Sequence, residues 1–156
     1  MLSSAVLVMA SIIGQADAEA AYKSLSDFLV GGVWTTMAGD VKCEISYKPT
    51  LNGRFILGEY MHGNIPVTFL VGVDPATKKI TWFGFDGDGD VVKWAMTPTS
   101  ESTWTTEGKG MGPNGECAIK SKTTRVDADT IKEELEHFVI NGKQMRIGTN
   151  IWKRKR

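Results

Sequence analysis

This chain reads as all-β: an antiparallel meander barrel of about ten strands with one short N-terminal helix. Three observations point there. Short runs rich in Val, Ile, Thr, Phe, Tyr and Trp recur along the chain, the composition of pleated, half-buried segments. Gly, Asn, Asp and Pro separate those runs every eight to fourteen residues. Beyond residue 32 the apolar positions follow no helical period. Connections this short make each strand antiparallel to the last, and such a succession closes on itself to remove exposed edges.

Composition narrows the class. The 156 residues are 42% hydrophobic, with eighteen basic and eighteen acidic side chains, which suits one domain with its own core. Balanced charge argues against nucleic-acid binding, because no basic field is present to meet phosphates. Two cysteines and two histidines are too few for a zinc cluster.

Taken in order, residues 1–18 read as a secretion signal peptide and residues 19–156 as a single barrel domain. Residues 5–13 form an apolar run, shorter than the ~20 residues that span a bilayer as a helix, and Ala16-Asp17-Ala18 follows as a small-x-small cleavage pattern. The expected location is periplasmic or secreted, with no stable membrane insertion. Residues 19–30 favour a helix whose Leu25, Phe28 and Leu29 share one side, and Gly31-Gly32 stops it. Strands are expected at 33–38, 42–48, 54–62, 66–73, 79–85, 91–97, 102–108, 116–126, 130–139 and 144–153. Both faces of 80–85 are apolar, so the outer one is expected to lie under the helix. Cys43 and Cys117 both fall on inward faces; a bridge between them and two separate buried thiols are both compatible with the pattern.

The last hairpin has two registers that exchange its faces. A two-residue Asn141-Gly142 loop sets Glu134 opposite Thr149, whereas a three-residue loop sets Leu135 opposite Ile147 and Glu133 opposite Thr149. Burial of the aliphatic residues favours the second. It points Ile131, Leu135, Met145, Ile147 and Ile151 inward, together with Glu133, His137 and Thr149. Ionisable groups among apolar ones suggest a wet interior, since a buried unpaired carboxylate is costly.

The expected ligand-lining set is therefore Glu59, Trp82, Trp104, Glu133, Leu135, His137, Met145, Ile147 and Thr149. Glu59 and Glu133, with His137 or His62 nearby, would form an acid–base pair if they converged. Asp86, Asp88 and Asp90 start like a calcium loop, but Val91 and Thr97 stand where an EF-hand needs Gly and Glu, so a turn is the better reading. Lys153 to Arg156 read as a solvated end. No nucleophile elbow, zinc-protease motif or phosphate loop is present in the sequence.

A short helix leading into Leu29-Val30-Gly31-Gly32-Val33-Trp34 and then an unbroken meander resembles the calycin superfamily, the lipocalins and fatty-acid-binding proteins. Gly32-x-Trp34 matches the G-x-W that opens the lipocalin barrel. Gly72-Val73-Asp74-Pro75 and the Trp-rich middle look like an uncharacterised bacterial lipocalin-like family. The resemblance covers residues 22–153, and the T-D-Y-like triplet of lipocalins is absent. It implies a closed barrel around a small apolar ligand, with Trp34 on the floor and Arg154 or Arg146 over its face. No cofactor is expected, since the residues around His137 do not match haem-binding barrels. The function expected is ligand binding by an exported barrel. An enzyme of the same fold and a non-catalytic interaction domain with an exposed apolar patch are the alternatives.

Overall fold

The structure is a computed structural model that describes residues 17–155. Most of the expected leader thus lies outside the described residues; Asp17 and Ala18 open the helix. Helix α1 (residues 17–29) is followed by β1 (Val33–Ala38), β2 (Val41–Thr50), β3 (Phe55–His62), β4 (Ile65–Val73), β5 (Ile80–Asp86) and β6 (Val91–Pro98). The chain continues through β7 (Thr103–Gly112), β8 (Gly115–Asp127), β9 (Thr130–Ile140), β10 (Lys143–Gln144) and β11 (Gly148–Lys155). Each strand from β1 to β9 pairs antiparallel with the next, β11 pairs with β9 and β1, and the sheet closes. Strands β10 and β11 hold one register on β9 and form a single stave interrupted at Met145–Ile147, so the barrel has ten staves.

Alternation sets the two faces. Ile56, Gly58, Tyr60 and His62 of β3 point inward with Cys43, Ile45 and Tyr47 of β2, their register partners being Cys43 for His62 and Ile45 for Tyr60. The hairpin turns after β1, β3, β5, β7 and β9 gather at one end, which we term the mouth. The other end is plugged. Tyr22, Leu25, Phe28 and Leu29 of α1 pack into one core with Trp34, Tyr47, Ile56, Phe69, Val71, Ile80, Met96 and Ile131.

Trp34 is fully buried and organises this floor. Its Nε1 donates to the Leu29 carbonyl at 3.4 Å, its ring centroid lies 5.1 Å from that of Phe28, and the Arg154 guanidinium sits 4.7 Å from its centroid. Arg154 also donates to the Phe28 carbonyl. A side chain at Gly32 would come within 3.1 Å of Arg154 and 3.2 Å of Trp34, which explains glycine there. Arg154 therefore takes the place over the tryptophan, whereas Arg146 lies against Gly39 at the mouth.

Three expectations are corrected. The last hairpin uses the two-residue loop: Asn141 and Gly142 both have positive φ (50° and 73°), as a type I′ turn requires, and Lys143 pairs with Ile140. Gly148, Asn150, Trp152 and Arg154 are consequently the inward set of β11, while Thr149, Ile147 and Ile151 face out, the last two 52% and 44% exposed. Burying Trp152 and Arg154 outweighs burying two isoleucines. Secondly, a bulge in β9 pairs Lys120 with His137 but Ser121 with Leu135, leaving Glu136 extra. The parity of the strand changes there, so His137 turns outward while Leu135 and Phe138 stay inside.

Thirdly, α1 plugs the floor instead of covering β5, whose outward Phe83 and Phe85 are 42% and 51% exposed. Of the two readings of the cysteines the unbridged one holds, since Cys43 and Cys117 are free buried thiols. Strand β2 and strand β8 stand four staves apart by the shorter way round, beyond the reach of a disulfide. Replacing Trp34 with Ala should cost about 3–5 kcal/mol by urea denaturation. Ile151→Thr, on the outer face, should change stability by less than about 0.5 kcal/mol.

Candidate functional site

Toward the mouth the interior mixes buried and half-buried side chains, with Cys43, Val92, Cys117 and Ile119 in the first group. Tyr60, His62, Trp82, Trp94, Glu133, Leu135 and Phe138 all project from the inner wall yet are only partly buried, so solvent reaches the interior. The aromatic side of this space is built by β4–β6. Phe69 stacks on Trp82 at 4.5 Å between centroids, and Trp94 is directly paired with Trp82 across the ladder. The buried Nε1 atoms of Trp82 and Trp94 have no acceptor among the described residues.

The polar side comes from β2, β3, β9 and β11. Glu133 accepts from Asn150 Nδ2 at 3.2 Å and from Trp152 Nε1 at 3.1 Å, both at Oε2. The Tyr60 hydroxyl lies 2.9 Å from His62 Nδ1 and donates to Cys43 Sγ at 3.4 Å, and His62 Nδ1 is 3.4 Å from that sulfur. Burial pushes the Tyr60 phenol well above its ordinary value, and the hydrogen bond to Cys43 and the charge of Glu133 raise it further. Tyr47 is raised by burial first and by Glu133 second. Both phenols stay protonated and neutral at any physiological pH.

Of the expected lining residues, Trp82, Glu133 and Leu135 meet in this interior. Trp104 also points inward, but at the floor, against the core. Glu59 lies on the outer face, paired with Lys48 at 2.9 Å, so it forms no acid–base pair with Glu133. His137, Ile147 and Thr149 lie outside by bulge and register, and Met145 stands exposed opposite Phe138 in the interrupted stretch at the mouth. Tyr60, His62 and Cys43 were legible as a same-face set by strict alternation on paired strands; Asn150 and Trp152 required the correct hairpin register.

Two features elsewhere are distinct from this site. A solvent-open groove outside the wall, between α1 and the floor, is lined by Lys23, Asp27, Phe28, Arg125 and Arg154. Lys23 pairs with Asp27, and both arginines stack on Phe28, so its groups already serve the fold. The acidic mouth turn is a turn: Asp86 accepts from the backbone of Asp88 and Asp90, and no metal-holding group of His, Cys, Asp or Glu occurs among the described residues. No helix among them is long and apolar enough to cross a membrane.

The chain matches no family model and no curated protein sequence, so the functional reading rests on the geometry. That geometry defines a closed antiparallel barrel with one plugged end and a mixed aromatic and polar interior at the other.

Asp90 offers a test of the mouth's electrostatics. It is buried, its carboxylate oxygens have no hydrogen-bond partner among the described residues, and burial followed by Asp86 raises its pKa. The folded chain thus holds that proton more tightly than the unfolded chain, and stability falls as pH rises through the raised value. Asp90→Asn should raise the urea midpoint at neutral pH, the gain shrinking in acid.

Proposed function

We propose that the chain is a lipocalin-like binding protein that holds a small, largely apolar molecule in the mouth half of its barrel. The observation that carries this reading is the asymmetry of the interior. One end is sealed by α1, Trp34 and Arg154, while at the other Tyr60, His62, Trp94, Glu133 and Phe138 stay partly exposed inside a closed wall, beside the buried Cys43, Val92, Cys117 and Ile119. Such a space, apolar with a few converging polar groups, has the character of a ligand site. Phe69, Trp82, Trp94, Leu135 and Phe138 supply the apolar contact. Glu133, Tyr60 and His62 supply orientation. Export belongs to the same reading: cleavage after Ala18 would leave Glu19 as the first residue, which N-terminal sequencing of protein secreted by the native host would test.

Binding is tested with the neutral fluorophore N-phenyl-1-naphthylamine, whose emission should rise and shift to the blue as tryptophan emission falls. Leu135→Arg should weaken that binding about tenfold or more, by removing apolar contact and adding an interior charge. Native mass spectrometry of protein purified from its own host should show a retained small molecule. The absence of both probe binding and a retained molecule would end this reading.

A further inference from the structure

The carboxylate of Glu133 is the unusual group of the interior. Burying a carboxylate is costly unless a cation or several donors compensate it. Here the donors are neutral, Asn150 Nδ2 and Trp152 Nε1, and both bond to Oε2. Oε1 has no donor among the described residues, and Glu133 takes part in no ion pair.

The nearby cations are committed elsewhere. Arg125 lies 4.4 Å from the Phe28 centroid and Arg154 lies 4.7 Å from that of Trp34, both at the floor. On β9 itself, Lys132 bonds Glu134 at 2.8 Å. On β11, Lys153 bonds Thr130 at 2.6 Å. His62 is the one interior base, and its Nδ1 is held by Tyr60 and Cys43.

Aromatic side chains stand close to Glu133. Tyr60 and Trp152 lie edge to face at 6.1 Å, and the charge of Glu133 reaches both Tyr60 and Tyr47. Aromatic ring faces attract cations. A carboxylate oxygen without a donor, neighbouring rings, and no uncommitted cation beside them among the described residues form a site whose missing component is positive.

We infer that the barrel's ligand is an organic cation, a protonated amine on an apolar or aromatic body, with its N–H donated to Glu133 Oε1 among the rings of Tyr47, Tyr60 and Trp152. The inference rests on the proposed binding role and names its ligand class. Stacked Phe69 and Trp82 provide the aromatic side against which such a body would lie.

Three probes of similar size and different charge decide it: phenethylammonium, 2-phenylethanol and phenylacetate, titrated against the full chain at low salt. The cation should bind at least about tenfold more tightly than the alcohol, with phenylacetate weakest. Glu133→Gln keeps an oxygen acceptor for Asn150 and Trp152, and it should erase the cation's advantage over the alcohol. Should that variant not fold, the ranking of the three probes on the unaltered chain decides alone. Equal or reversed ranking, with the neutral fluorophore still bound, overturns the cation inference and leaves the binding barrel standing. No binding of any probe overturns both.

Discussion

The contact between Arg154 and Trp34 is the constraint on which the rest of the architecture depends. It joins the last strand to the first across the closing seam, and through the Phe28 carbonyl it fastens the helix to both. A cation over a buried indole gains from the ring's negative face and from exclusion of water. Gly32 permits it, because any side chain there would meet both partners. Closure pairs Val33–Thr35 of the first strand with Lys153–Lys155 of the last, so the two ends of the chain share the seam at the floor.

Packing inside the wall is graded along the axis. Near the helix, Trp34, Ile56, Val71 and Ile80 are almost wholly excluded from solvent. Small residues then let large ones turn inward: Phe69 occupies the hollow at Gly58, where an added methyl would lie 2.1 Å from its ring. Higher up, the polar groups appear. Their bonds are local to neighbouring strands, Glu133 with Asn150 and Trp152, Tyr60 with His62 and Cys43. The floor is thus an apolar core in the ordinary sense, and the upper half is a mixed interior in which polar groups bond across neighbouring strands.

Much of this was legible in the amino-acid order. Turn residues and alternation located the strands, and the buried stripe of α1 is the one its spacing indicates. The G-x-W segment led to Trp34 and, with it, to Arg154. Illegible parts share a cause: one-residue parity. Nothing in the run from Lys132 to Ile140 marks the bulge at Glu136, yet it decides that His137 faces water. For the final hairpin, Asn141-Gly142 carried the correct turn chemistry, but aliphatic residues on β11 suggested the opposite faces. Ile147 and Ile151 lost to Trp152, whose larger ring and N–H both find partners inside. The helix's destination depended on a three-dimensional end-on fit that periodicity does not encode.

The seam between β1 and β11 has a kinetic meaning. Thr36 donates to the Ile151 carbonyl across 115 residues of sequence, so the closing contacts are among the most non-local the chain can make. Loop-closure entropy must be met before those contacts stabilise anything, and topologies of this type fold slowly. Until the ring closes, β1 carries an unmatched row of amides beside the indole of Trp34. That nascent edge is the chain's most adhesive moment, and its rescue waits on the arrival of the distal strand.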